Sequence, residues 1–167
     1  MVTIESSSFI DPTAVLMGDV HIGKHCGVYP HAVLRGDQNT IRIGDGSNIQ
    51  DCCVIHVNRE NPTTIGKDVS IGHCAMIHGA TIDDTCLIGI HATVLNGATI
   101  GSGSVIGAHA LVTAGTTIPK NSLVLGVPGK VIKQDESLCE MIIANAETYK
   151  NLAQQHLQGL FPHYHIK

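Results

Sequence analysis

The chain has 167 residues, of which 14% are charged and 3% are aromatic, and its formal net charge is −4. This length is enough for one domain with a sizeable core, and the shortage of rings means that small aliphatic side chains must build that core. Because the net charge is negative and no basic tract is present, we expect no binding to nucleic acid.

The N-terminal segment MVTIESSSFIDPTAV has no basic stretch followed by an apolar run, so we expect no signal peptide. No window approaches the ~18 consecutive apolar residues of a membrane span, so no membrane partner is expected. The six cysteines contain no CxxC pair. Together these features predict a cytoplasmic protein with reduced thiols.

An aliphatic residue recurs at every sixth position through most of the chain. Counting hexads from Ile10 to Val124 gives nineteen that begin with Ile, Leu or Val, often followed by Gly. This period is neither helical nor the alternation of a hairpin protein. It is typical of an all-β solenoid in which three short strands close one triangular coil of ~18 residues. We therefore predict about six coils, stacked as parallel strands ~4.8 Å apart, with the aliphatic residues pointing inward.

The repeat ends near Val124, and the pattern becomes helical over residues 135–158. Apolar residues such as Ile142 and Tyr149 recur there at helical spacing, with Asp135 or Ser137 available as the N-cap. We expect an α-helix packed along one face of the solenoid, followed by a loop. The predicted division is a β-helix over residues 1–133 and a C-terminal helix with its tail over residues 134–167, both in one structural unit.

Three irregularities interrupt the repeat close to one another. Residues 34–43 contain three extra residues, residues 55–65 contain four, and the hexad at 77–82 is one residue short. A regular ladder of hexads has no room for a site, so we expect the functional residues to lie where the ladder is broken.

Counting hexads across these breaks places Arg35, His56 and His78 in one outward column on three consecutive coils. Two imidazoles one strand spacing apart can hold one metal ion. His73 lies near a corner of the solenoid, above Asp51. We do not expect His73 to reach the His56–His78 pair of its own chain, but a second chain related by threefold symmetry could present it.

A second column of potential metal ligands runs beside this corner, at the fourth position of the hexads that share one face on four consecutive coils: Cys52, Cys74, His91 and His109. The short hexad at 77–82 places Ile90, not His91, above His73. We interpret this column as exposed or as part of an interface, with a metal site as the alternative. Three other cysteines fall at inward positions and are expected in the core: Cys26, Cys53 and Cys86.

The ordered set of motifs resembles the γ-class carbonic anhydrase family. The segments concerned are VLRGD (33–37), NIQD (48–51), His56, IGH (71–73) and IHG (77–79). Hexapeptide acyltransferases share the ladder of hexads but not this set. The resemblance implies a left-handed parallel β-helix and a homotrimer with one metal at each interface. The ligands would be His56 and His78 of one subunit and His73 of the next.

The resemblance also implies the chemistry. The metal would be Zn²⁺, with Fe²⁺ or Co²⁺ as alternatives. Three imidazoles leave one position for a water whose pKa falls to about 7, so that hydroxide attacks CO2 and bicarbonate leaves. Asp37 and Gln50 resemble the family's water-orienting groups, and Tyr149 on the helix is a further candidate catalytic residue. Arg35 and Asp51 resemble an ion pair between subunits.

The chain departs from strongly active members of that family in its proton shuttle. Gln38 occupies a position that is acidic in those members, and Glu60 is the one acid in the short loop VNRENP. Glu60 is thus a weak candidate, and the shuttle stays unassigned. Two alternatives remain open: acyl transfer or thioester hydrolysis, with one His as base and coenzyme A between subunits, and a trimeric metal-binding subunit with low or no activity. An acyltransferase needs one histidine, not three that converge on a metal.

Overall fold

Short strands alternate with tight turns along most of the chain, as the hexads predict. The computed structural model of the protein describes residues 1–164. Its elements in chain order are β1 (Val2–Ile4), β2 (Phe9–Ile10), β3 (Val15–Ile22), β4 (Gly27–Val28), β5 (Val33–Ile43), β6 (Asn48–Ile49), β7 (Val54–His56), β8 (Thr63–Ile65), β9 (Ser70–Ile71), β10 (Met76–His78), β11 (Thr81–Ile82), β12 (Leu87–Ile88), β13 (Thr93–Val94), β14 (Thr99–Ile100), β15 (Val105–Ile106), β16 (Leu111–Val112), β17 (Thr117–Ile118), β18 (Ser122–Leu125), β19 (Lys130–Gln134) and α1 (Leu138–Leu157).

The strands form three flat faces. The histidine face consists of the first halves of β3 and β5 with β7, β10, β13 and β16. The threonine face consists of β1, the second halves of β3 and β5, and β8, β11, β14 and β17. The helix face runs from β2 through β4, β6, β9, β12 and β15 to β18. Every neighbouring pair is parallel except β18 with β19, which closes the top. The predicted β-solenoid with a C-terminal helix is confirmed, and the architecture is consistent with left-handed winding.

The solenoid has about seven coils, since seven strands stack on the helix face. The hexad count gives slightly more than six because it begins at Ile10. Ile4 lies six residues earlier and pairs with Ile22 in the neighbouring coil. The repeat therefore starts one hexad before the first one counted.

Aliphatic ladders fill the interior. On the helix face, Ile49, Ile71, Ile88 and Ile106 stack in consecutive coils, and none has exposed surface. Removing each such side chain from water contributes roughly 1.5–3 kcal/mol. Because identical positions repeat at one strand spacing, the core is continuous from the lowest coil to the highest.

The three cysteines predicted to lie inside do so. Cys26, Cys53 and Cys86 are completely buried, and their thiols donate to the backbone carbonyls of the next coil, as Cys53 Sγ does to the oxygen of Gly72 at 3.0 Å. Burial raises the pKa of Cys26 to about 11 and the pKa values of Cys53 and Cys86 to about 12. These thiols stay protonated and serve as small core residues.

The C-terminal helix packs along the lower coils of the helix face, against β2, β4, β6 and β9. Its buried side chains are Ile142, Ala146 and Ala153. Ser137 occupies the N-cap position without a capping bond from its side chain. Asp135 instead accepts hydrogen bonds from the Ser137 backbone N–H at 3.0 Å and hydroxyl at 2.6 Å. In the part of the chain that the structure describes, no helix is long and apolar enough to cross a membrane.

Truncating a core residue far from the histidines tests the ladder. Ile100→Ala removes a fully buried side chain between Ile82 and Ile118. We expect the free energy of unfolding to fall by about 2–5 kcal/mol, because stacked coils cannot collapse into the cavity. Denaturant unfolding at fixed protein concentration measures this loss.

Thr99→Ala, the outward neighbour on the same strand, is the matched control. We expect it to change the free energy of unfolding by less than about 0.5 kcal/mol. An equal loss in both variants would contradict the ladder description.

Candidate metal site

The first insertion is a bulge at the edge of the histidine face. Gly18 pairs with Gly36, but the next pair in register is Asp19 with Thr40. Residues 37–39 therefore protrude from β5 as the three extra residues predicted from the spacing. The bulge turns Asp37 back toward the histidine column.

His56 and His78 lie one above the other on this face. The register pairs Arg35 with His56 and His56 with His78, as the hexad count predicts. The His56 Nδ1 and His78 Nε2 atoms are 2.9 Å apart, and the rings meet edge to face. Two nitrogen ligands of a tetrahedral ion with ~2.05 Å bonds would be about 3.3 Å apart. The pair is thus within a few tenths of an ångström of a metal-binding arrangement.

The other ring nitrogens of this pair face hydrogen-bond acceptors. His56 Nε2 lies 3.0 Å from Asp37 Oδ1, and His78 Nδ1 is hydrogen-bonded to Asn96 Oδ1. A carboxylate or amide oxygen accepts an N–H, so these contacts place the ring protons on the distal nitrogens. With the distal nitrogens held by oxygens, the facing nitrogens, His56 Nδ1 and His78 Nε2, are the ones in position to bind a metal.

Asn96 is a residue of the candidate site that the hexad analysis missed. It lies one coil above Gly79, whose backbone has a φ of +59°. A Cβ at Gly79 would lie 3.0 Å from Asn96 Oδ1, so the glycine leaves room for the asparagine amide to reach His78. The signal in the sequence was Gly79 in IHG, which is needed for both its conformation and this close approach.

His73 occupies the turn between the helix face and the histidine face. Its Nδ1 is 2.8 Å from Asp51 Oδ2 in the coil below, so its Nε2 is the nitrogen turned away from Asp51 and toward the Tyr149 hydroxyl. The register of β9 with β12 places Ile90 above His73, as the short hexad predicts. All three histidines therefore share one design, in which an oxygen holds one nitrogen and the other nitrogen is turned away from it.

These donors fit a divalent transition metal, because imidazoles with distal N–H groups held by oxygens are its usual ligands. Within residues 1–164 of one chain, however, no three His, Cys, Asp or Glu side chains come close enough to hold an ion together. The structure brings His56 and His78 together and leaves His73 around the corner.

Comparisons with known proteins identify the family of this chain. The family model described as "Bacterial transferase hexapeptide (six repeats)" matches residues 1–36 and 79–114. A probable carbonic anhydrase of Methanocaldococcus jannaschii is 58% identical over 142 residues, which are 84% of this chain and 89% of that protein. The chain belongs to the γ-class carbonic anhydrase family.

Two further relatives show the breadth of the likeness. The mitochondrial gamma carbonic anhydrase 3 of Arabidopsis thaliana is 49% identical over 160 residues, which are 92% of this chain but 62% of the plant protein. The structure of a putative acetyltransferase from Bacillus cereus has a TM-score of 0.90 at 34% identity, over 93% of this chain and 91% of that one. The scaffold is thus shared with proteins that carry a transferase name.

Other residues named by the family resemblance lie around the histidines. Arg35 Nη1 donates to Asp37 Oδ2 at 2.5 Å, so within one chain Arg35 pairs with Asp37 rather than with Asp51. Hydrogen bonds from Arg35 and then from His56 lower the pKa of Asp37. Asp37 therefore stays a carboxylate at neutral pH and keeps its hold on His56.

Two residues predicted to assist catalysis border His73. The Tyr149 hydroxyl is 3.5 Å from His73 Nε2, and burial raises the pKa of Tyr149, so the phenol stays protonated. Gln50 is 4% exposed, and its Nε2 donates to Asn48 Oδ1 at 3.0 Å. Both line one cavity of about 360 Å³ with His73. Glu60 lies exposed in the loop after His56.

The second column of Cys and His residues also forms as predicted. Cys52, Cys74, His91 and His109 occupy the same turn position in consecutive coils, each with φ near +58°. The rings of His91 and His109 stack with centroids 4.9 Å apart and an interplanar angle of 8°. Cys52 and Cys74 are both exposed. Because no three potential ligands converge in residues 1–164, the structure does not support the alternative of a metal site formed by this column in one chain.

Replacing Asn96 tests its role as the acceptor for His78. We expect Asn96→Leu, which keeps the side-chain shape but accepts no hydrogen bond, to lower Zn²⁺ affinity about 10- to 100-fold. Titration against a competing chelator measures this affinity. Asn96→Asp should retain most of it, and Thr93→Ala on the same face is the control. Unchanged affinity in Asn96→Leu would remove Asn96 from the site.

Alkylation tests the division of the cysteines. We expect iodoacetamide at about pH 8 to spare Cys26, Cys53 and Cys86 in the native protein, because burial raises their pKa values and the thiolate is the reactive form. Peptide mass spectrometry locates the label, and denatured protein should be labelled throughout. Labelling of Cys53 in the native state would contradict the burial described above.

Proposed function

We propose that this protein is a metal-dependent carbonic anhydrase that reversibly hydrates CO2 to bicarbonate at sites formed between the subunits of a homotrimer. The observation that supports it best is the common design of His56, His73 and His78. Each has one nitrogen held by an oxygen, and the second nitrogens of His56 and His78 face each other while that of His73 faces the Tyr149 hydroxyl.

Exposed apolar side chains support the trimer. Met17 and Met76 lie on the histidine face and are 44% and 40% exposed, and Ile90, directly above His73, is 47% exposed. Large apolar side chains grouped around a polar site mark an interaction surface. A threefold arrangement would place the His73 corner of one chain against the histidine face of the next and cover both. In that arrangement Arg35 would approach Asp51 of the partner subunit.

The metal would be held by His56 and His78 of one subunit and His73 of its neighbour. We propose Zn²⁺, with Fe²⁺ or Co²⁺ as alternatives, since nitrogen ligands suit all three. Such a metal supplies Lewis acidity, which brings the pKa of a water molecule to about 7. Carboxylate or amide oxygens on all three imidazoles raise their basicity and fix their orientation.

The chain's own residues would orient the substrate. Gln50 is held in place by Asn48 and borders His73, so its amide can hydrogen-bond to an oxygen of CO2 or bicarbonate. Tyr149 can donate its hydroxyl proton in a hydrogen bond on the same side of the site. Asp37 is a poor proton acceptor at neutral pH because its pKa is lowered, so its proposed role is to position His56. Glu60 remains the weak candidate for the proton shuttle.

Acyl transfer is the first alternative function, because the putative acetyltransferase from Bacillus cereus has the same fold. The second alternative is a trimer that binds metal but has no activity. The paired acceptors on the histidines favour metal chemistry, since a single catalytic base would not need them. The proposed location is the cytoplasm, on the basis of the cysteine pattern.

Mixed trimers test the split site and the activity together. His73→Ala chains would keep His56 and His78, and chains with both of those replaced by Ala would keep His73. Each homotrimer should bind no metal tightly and hydrate no CO2. Trimers that contain both chains, purified through two different tags, should recover one intact site of three, in both metal content and CO2 hydration.

The wild-type trimer, loaded with Zn²⁺, Fe²⁺ or Co²⁺, is the positive control. Recovery of metal in mixed trimers without CO2 hydration would support the non-catalytic alternative. No recovery of metal, or a metal-bearing monomer, would overturn the split site. Activity on acyl-coenzyme A in the absence of CO2 hydration would favour acyl transfer.

A further inference from the structure

The packed side of α1 carries one amide among its apolar side chains. Asn145 lies between Ile142 and Tyr149 on the same side of the helix, and its neighbours Ile142 and Ala146 are buried. Asparagine is a poorer helix former than leucine and adds polar atoms to a packed surface. The proposed reaction, as it stands, does not use this residue.

The oxygen of this amide is buried without a hydrogen bond. Within residues 1–164, two buried side-chain oxygens lack a hydrogen-bond partner, Asp11 Oδ2 and Asn145 Oδ1. Asp11 Oδ2 lies 2.8 Å from His163 Nε2 and is thus part of an ion pair. Asn145 Oδ1 has no such partner in the described part of the chain. A buried acceptor without a donor destabilises the folded state, and native proteins contain few of them.

The other end of the amide borders a cavity. Asn145 lines the cavity of about 360 Å³ between α1 and the helix face, together with Gln50, His73 and Tyr149. Because Oδ1 is buried and the amide is planar, Nδ2 is the polar atom of Asn145 that can face this cavity. Most of the remaining wall is apolar: Leu87, Ile88, Ile90 and Ala108.

Contacts close to Asn145 hold α1 in place. The Tyr29 hydroxyl donates to the backbone oxygen of Tyr149 at 3.2 Å, and Lys150 Nζ pairs with Asp68 at 2.8 Å. Both contacts lie within about one and a half helical turns of Asn145. The helix is therefore tied to the solenoid at the level of the cavity, and the amide has a fixed position.

We propose that Asn145 is a substrate-binding residue whose Nδ2 donates a hydrogen bond to an oxygen of bicarbonate in the cavity beside His73. Tyr149 supplies a second donor from the same side of the helix. Gln50 keeps its amide oxygen, since Nε2 is the atom bonded to Asn48, and this oxygen can accept the O–H of bicarbonate. The apolar wall suits CO2. This role rests on the proposed function, which names the ligand.

The proposed arrangement of subunits agrees with this role. The walls of the cavity come from one chain, and His73 lies at the corner that the trimer would place against the histidine face of its neighbour. That neighbour would close the open side of the cavity and supply the other two metal ligands. The role of Asn145 therefore does not depend on how exposed the corner is in a single chain.

The stability of Asn145→Leu gives the first test. Leucine has a similar size, is a better helix former and leaves no buried acceptor. The melting temperature of the metal-free protein, at fixed protein concentration, should therefore rise by roughly 2–5 °C. Thr148→Leu is the matched control, because Thr148 is exposed on the same helix and its replacement gives the same gain in helix propensity. Its melting temperature should rise by less than about 2 °C.

A loss of stability in Asn145→Leu, a failure to fold, or a gain no larger than that of Thr148→Leu would overturn the proposal. Any of these results would show that a water molecule or the neighbouring subunit satisfies the amide, so that its role is structural.

Anion binding to the Co²⁺-loaded protein gives the second test, because the visible spectrum of the metal reports bound anions without turnover. Asn145→Leu should bind bicarbonate about 10-fold more weakly than the wild type, since one hydrogen bond to a charged group is lost. Nitrate, a planar oxyanion of the same charge, should be weakened similarly. Cyanide, a two-atom ligand bound chiefly through the metal, should change less than about twofold, and Thr148→Leu should bind all three as the wild type does.

Unchanged affinity for bicarbonate, or an equal weakening of cyanide, would contradict the role of Asn145, because the effect would then be absent or would lie at the metal. Weaker oxyanion binding in a protein that hydrates no CO2 would support Asn145 as an anion-binding residue and count against the proposed function alone. If the wild type binds no Co²⁺, the proposed metal site fails. Bicarbonate should then still raise the melting temperature of the wild type more than that of Asn145→Leu, and an equal response would reject the proposal.

Discussion

The in-register stacking of parallel coils determines nearly every feature of this molecule. Each residue lies one strand spacing above its counterpart, so a side chain's neighbours depend on its position in the hexad rather than on its distance along the chain. His56 and His78 are 22 residues apart in sequence and in contact in space. The same constraint stacks isoleucines into the core and imidazoles on the surface. A solenoid thus builds a pair of ligands simply by repeating a residue at the same position.

Regular stacking alone would give only columns, and the breaks in the repeat convert the columns into a site. The bulge at residues 37–39 turns Asp37 back beside His56, which a regular hexad would not do. The short hexad puts Ile90 rather than His91 above His73 and so places an apolar side chain directly over that histidine. The match to the hexapeptide family model omits residues 37–78. This segment contains the bulge at residues 37–39 and the insertion in residues 55–65, which are the first two of the three breaks in the repeat. The regular hexads are common to the wider hexapeptide family, and the candidate site lies where the chain departs from them.

The sequence was sufficient for the fold and for the register of the site because both follow from counting. Two columns could be predicted without any knowledge of side-chain conformation: Arg35 with His56 and His78, and Asp51 with His73. Counting could not supply Asn96, which lies in an ordinary hexad and matters only because Gly79 below it leaves space. It also could not show that Arg35 meets Asp37 within one chain, since that contact depends on how the bulge folds back. Periodicity gives positions, whereas these contacts depend on how side chains reach beyond their own columns.

The same geometry explains why, under the proposed function, the third ligand would come from outside the chain. Residues on a flat face stay in their column, and a residue at the corner is held there by the turn and by the coils above and below. Rotation of its side chain cannot bring His73 to the His56–His78 pair of the same chain. That movement would require the backbone of a coil to unfold. A symmetric neighbour avoids this constraint, because it presents its own corner to that face. If the trimer binds the metal through all three histidines, each chain alone binds it through two or one. Linkage then requires that the metal favour the trimer by the same free energy by which the trimer favours the metal. Assembly and the capacity for catalysis would be a single equilibrium in this protein.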